Sequence, residues 1–147
     1  MSEEKPERLG LRGRLANIES ALRLLGGANA TGAIAAGVAL HAFEKNTDIQ
    51  NAVKTAAVLF LFGIVAFTLA YAGLFIATED IDRSLHTKDG PTWPEYLWWE
   101  PKKTPEQHKK AALRAFAVAV FGGLASFLLF SLGLSAILSM AIELKLG

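Results

Sequence analysis

Charged side chains vanish from this chain three times: from Leu24 to Phe43, from Thr55 to Thr78, and from Ala115 to Ile142. The runs are 20, 24 and 28 residues long. A helix rises about 1.5 Å per residue, so roughly 20 apolar residues cross a hydrocarbon core of about 30 Å. All three runs are long enough to span. Helices buried in a soluble bundle would carry a polar stripe at every turn. The stretch "TAAVLFLFGIVAFTLAYAGLFIAT" has none. The pattern predicts an all-α integral membrane protein with three transmembrane helices, at residues 26–43, 55–78 and 105–144.

The polar segments complete the outline. Residues 1–7 read as disordered. Residues 8–25, "RLGLRGRLANIESALRLL", put Leu15, Ile18, Leu22 and Leu25 at 3-4-3 spacing, one face of a helix. Glu19 and Arg23 form a favourable i, i+4 pair on it. A basic amphipathic helix beside a span usually lies in the membrane interface, so a short interfacial helix is expected here, bending into the first span at Gly26-Gly27. The third span opens with "TPEQ", where Thr104 can cap the helix, Pro105 take its first position and Gln107 close a capping box.

Basic residues orient these spans. Twelve lysines and arginines precede the first charge-free run or lie between the second and third, against Lys45, Lys54 and Lys145 on the opposite side. The side richer in lysine and arginine is the cytoplasmic one. The N-terminus is therefore expected in the cytoplasm and the C-terminus on the opposite side. The connection 79–104 then lies at the cytoplasmic surface. It contains Trp93, Tyr96, Trp98 and Trp99 within "TWPEYLWWEPKK", and Pro91, Pro94 and Pro101 favour an extended path. Such rings either anchor at the lipid headgroups or dock a partner. In an extended segment, adjacent Trp98 and Trp99 would point to opposite sides.

The first span is unlike the others. Eleven of the 20 residues in its charge-free run are alanine or glycine, and it also carries Asn29, Thr31 and His41. Gly26, Ala30, Ala33 and Gly37 make a smooth face, and Gly63, Ala66, Ala70 and Gly73 make a similar one on the second span. Small residues let membrane helices approach closely, so these faces are expected to pack together or against another subunit.

Candidate chemistry is sparse. Ser131, Ser135, Ser139 and Glu143 are spaced by four on the third span. They could line a hydrophilic path, although interhelical hydrogen bonding is the commoner role of such serines. His41 and Glu143 fall at the same outer level, where a histidine could titrate against a carboxylate. Asp80, Asp82, His86 and His108 cluster in the cytoplasmic region, but their spacing matches no metal-ligand pattern. Cysteine is absent, and the net charge of +1 gives no basic stripe for nucleic acid. No nucleophilic motif, phosphate loop or cofactor signature is visible, so neither an enzyme nor a cofactor-binding protein is expected. Expected partners are membrane lipids and either other membrane subunits or further copies of the chain. The leading functional expectation is a structural or accessory subunit of a larger membrane complex. The alternative is a small homo-oligomeric transporter or channel with a serine-lined helix face.

Overall fold

The structure is a computed structural model that describes the backbone of residues 6–43, 47–85 and 104–146, and the side chains of 14–43, 47, 49–84 and 104–142. Three helices account for nearly all of it: α1 (Pro6–Ala42), α2 (Thr47–Leu85) and α3 (Pro105–Leu146). Each contains a stretch long and apolar enough to cross a membrane: Arg14–Ala42, Ile49–Ser84 and Pro105–Ile142. The first is much the least apolar, with a mean hydropathy of 1.2 against 2.3 and 2.2.

Residues 8–25 are not a separate element. They form the first half of α1, which runs through Gly26-Gly27 without a break. Their apolar stripe is used inside the protein: Leu22 is buried with Ala70, Leu74 and Ala119, and Leu15 and Ile18 pack against that cluster. An amphipathic face can be satisfied by lipid or by neighbouring helices, and here the neighbours take it. Glu19 and Arg23 pair at 2.6 Å beside this stripe. At the start of α3 the capping box is formed, with Gln107 Oε1 accepting from the Thr104 amide at 2.8 Å and Thr104 Oγ1 accepting from the Gln107 amide at 3.4 Å.

Close packing between helices rests on small residues opposite large ones or backbone. A Cβ at Gly73 would fall 2.8 Å from the Ala115 carbonyl, and one at Gly122 would fall 2.9 Å from the Ala66 carbonyl. The Ala66–Ala70–Gly73 face of α2 therefore meets α3 rather than the small face of α1. Gly26 lies under the Phe67 ring, while Gly32 of α1 and Gly133 of α3 both abut Phe60. Phe60 is fully buried, tilted at 46° to Phe130 with 5.9 Å between centroids. Around it Ala36, Ile49, Val53 and Ala56 form the core at the end of the bundle away from the 86–103 connection, with Ala33 packed against them. Gly37 is different. It is exposed, and a Cβ there would meet nothing within 4 Å.

Helix register gives the bundle a common mid-level. Asn29, Gly63 and Ser126 touch, and the last two lie within about one turn of the midpoints of the charge-free runs on α2 and α3. From that level α2 continues 22 residues to Leu85, α3 reaches 21 residues back to Pro105, and α1 reaches 23 residues back to Pro6. These arms measure about 31–35 Å at helical rise, whereas half a hydrocarbon core is about 15 Å. All three helices thus extend well past an apolar layer centred on this level, on the side that carries most of the charge.

Candidate functional site

Two buried polar sites and one open groove lie along the bundle. The first is the mid-level cluster. Asn29 and Ser126 are fully buried. Asn29 Nδ2 donates to Ser126 Oγ at 3.0 Å and to its own helix's Leu25 carbonyl at 3.1 Å. Ser126 Oγ in turn donates to the Gly63 carbonyl at 2.8 Å. This chain of acceptors fixes the amide orientation, because only the NH₂ group can face two acceptors at once. Asn29 Oδ1 is buried without a conventional partner and lies against the Cα of Gly63. A glycine Cα–H at that position gives it a weak donor. The cluster ties all three helices together at one point, and its residue types suit structural locking rather than acid–base chemistry.

The second site is near the charged end. His108 Nδ1 of α3 and Asp80 Oδ1 of α2 are 2.7 Å apart, and both residues are buried. Asp80 lies 17 residues beyond Gly63, about 26 Å from the mid-level, so this pair falls outside an apolar core of ordinary thickness. It clasps the helix ends that residues 86–103 join.

The groove lies between α1 and α2, with a volume of ≈ 430 Å³. Leu15, Ala16, Leu74 and Phe75 supply apolar surface, and Glu19, Glu79 and Asp82 supply carboxylates. At its deep end Glu19 Oε1 accepts from the Tyr71 hydroxyl at 3.0 Å and from Arg23 at 2.6 Å. Arg23 also donates to the Tyr71 oxygen at 3.1 Å. Farther along, Glu79 pairs with Arg83 at 3.1 Å.

The residues singled out by sequence distribute unevenly over these sites. Asn29 stands at the centre, beside Gly63. Ala30 and Ala33 are half-buried on α1, and Ala66, Ala70 and Gly73 are in the α2–α3 contact. Ser135 and Ser139 are exposed and Ser131 is partly so. Ser131 and Ser139 donate to the carbonyls of Phe127 and Ala136 on their own helix, at 2.9 and 3.0 Å, rather than across an interface. His41 is exposed at the end of α1. The Glu143 side chain lies outside the described residues, as do His86, Trp93, Tyr96, Trp98 and Trp99. Of Asp80, Asp82, His86 and His108, the first and last meet, while Asp82 lines the groove. Among the described residues, no group of three histidines, aspartates or glutamates is arranged to hold a metal ion.

Sequence reasoning missed Ser126, Tyr71 and the pairing of Asp80 with His108. One signal was present for the first: a buried asparagine on an alanine-glycine helix needs a partner at its own depth. Comparison with protein families, with curated proteins and with solved structures finds no match to this chain.

Proposed function

We propose that the protein is a non-catalytic structural or accessory subunit of a larger membrane complex, with its N-terminus and the 79–104 connection in the cytoplasm. The observation that carries this reading is the outward face of α1. It exposes Gly27, Thr31, Ala35 and Gly37 interspersed with Leu24, Ile34 and Val38, and a Cβ on either glycine would meet nothing within 4 Å. The outward faces of the other two helices carry more and larger side chains, such as Phe62, Leu69, Phe121 and Leu128. Large apolar side chains suit lipid, whereas glycine, alanine and threonine set among them leave notches that suit close approach by another helix. The aromatic connection offers a second contact for the same partner.

Affinity purification of the full chain in mild detergent tests this. Another membrane protein should be recovered at a fixed ratio. Gly37→Leu should lower that recovery several-fold while leaving the bundle's melting temperature unchanged. Alanine at one of Trp98 and Trp99, but not at the other, should lower it too. Recovery of the chain alone as a monomer would contradict the proposal. The exposure of Ser135 and Ser139 supports a second reading, a homo-oligomer lined by that face of α3. A defined ring of identical chains, with no foreign subunit, would favour it.

A further inference from the structure

Arg23, Glu19 and Tyr71 form a small polar island at the surface of the bundle. Arg23 and Glu19 lie 6 and 10 residues from Asn29 along α1, and Tyr71 lies 8 from Gly63 along α2, all toward the charged end. At helical rise these are about 9, 15 and 12 Å from the mid-level, against about 15 Å for half a hydrocarbon core. Helical side chains lean toward the helix N-terminus, so the Tyr71 hydroxyl is carried back toward the mid-level. Its 3.1 Å bond with Arg23 holds the guanidinium at or inside the hydrocarbon boundary, where the arginine side chain is 66% exposed.

The island has bonds to spare. Both bonds that Arg23 makes leave from Nη2, to Glu19 at 2.6 Å and to Tyr71 at 3.1 Å. A guanidinium has five N–H donors, so those of Nε and Nη1 have no acceptor among the described residues. Glu19 receives both Arg23 and Tyr71 on Oε1, which leaves Oε2 without a donor among the same residues. Lipid tails cannot supply such partners, and lipid phosphates lie farther out; a neighbouring helix can supply them. Exposed Gly27, Thr31 and Ile34 follow Arg23 along one face of α1, at i+4, i+8 and i+11, and Gly27 lets another backbone come close. We propose that this face takes a transmembrane helix bearing an asparagine or glutamine carboxamide at the level of Arg23. The carboxamide oxygen accepts from the open Arg23 donors, and its NH₂ group donates to Glu19 Oε2. Glu19 already neutralises Arg23, so a carboxylate would add an uncompensated charge where a carboxamide adds none. This chemistry rests on the α1 interface of the accessory-subunit reading.

The test places the labelled full chain in phosphatidylcholine vesicles with a labelled synthetic transmembrane helix of leucine and alanine. Glutamines about six residues to either side of its centre present one carboxamide at about 9 Å depth in either insertion direction. Energy transfer measures association, with leucine or glutamate at the same two positions for comparison. The glutamine helix should associate about tenfold more tightly than the leucine helix. The Glu19→Leu/Arg23→Leu double variant should bind the two alike, and Gly27→Leu should weaken both several-fold, with melting temperature kept in each. Equal association of the glutamine and leucine helices with the unaltered chain would overturn the proposal. So would tighter association of the glutamate helix, or a glutamine preference that survives the double variant. Loss of the preference when phosphatidylglycerol is added would assign the open donors to lipid phosphate and overturn it too. These failures would strike the carboxamide alone, whereas recovery of a monomer on affinity purification would strike the accessory-subunit reading itself.

Discussion

Gly63→Leu should be among the most damaging single substitutions in the chain, destabilising the bundle by about 2–6 kcal/mol. Any Cβ at this position runs into the Asn29 side chain, whose carboxamide lies against the glycine's Cα. Overpacking a tight site costs about 1–3 kcal/mol. Displacing Asn29 also strips its buried amide of Ser126, adding about 1–3 kcal/mol for an unsatisfied polar group. Against a total stability of about 5–15 kcal/mol for a typical domain, this is a large fraction. Thermal unfolding in detergent should show the loss, whereas Val65→Leu and Gly37→Leu, at exposed positions, should melt like the unaltered protein. If all three variants melt alike, the mid-level cluster does not hold the helices together.

His108→Leu comes next, and its effect should depend on Asp80. Removing one partner of a buried pair leaves the other charge without compensation, which costs about 3–5 kcal/mol. Replacing both by apolar residues is often close to neutral. The expectation is therefore a strong loss for His108→Leu, and a recovery of most of it in the Asp80→Leu/His108→Leu double variant. A double-mutant cycle measures the coupling directly. Additive losses would mean that the 2.7 Å contact contributes nothing of its own. A functional consequence follows from its position: the pair fixes the spacing of the α2 and α3 ends joined by the tryptophan-bearing connection, so its loss should also weaken partner recovery.

The membrane-spanning character was legible because it depends on composition alone. Charge-free runs identify spans whatever their neighbours are, and the Thr104–Gln107 box and the Glu19–Arg23 pair are local contacts that spacing determines. Helix extent was less legible. Nothing in the charged "EDIDRSL" stops α2 before Leu85, because propagation needs only backbone hydrogen bonds and the absence of breakers. The Leu15–Ile18–Leu22 stripe gave the right face but not what covers it. Periodicity shows that a face is apolar, not whether lipid or protein meets it.

Contacts between helices were harder still. The small-residue face of α2 could be read from spacing, but its division between Asn29 of α1 and the Ala115–Gly122 stretch of α3 depends on helix register. The same is true of Ser126, which lies off the Ser131–Ser135–Ser139 series, and of Asp80 with His108, 28 residues apart. Register is set by the combined fit of bulky and small residues, such as Phe60 between Gly32 and Gly133. No single motif encodes it.

The depth of the Asn29–Ser126 cluster and of the Asp80–His108 pair depends on the chain crossing a bilayer three times, and the placing of the 79–104 connection in the cytoplasm depends on its orientation. Fusion of a reporter that is active only in the cytoplasm tests this most directly. Inserted after Lys103 it should be active, and fused after Gly147 it should be silent. The reverse pattern would contradict the orientation, and equal activity at both points would contradict the third crossing.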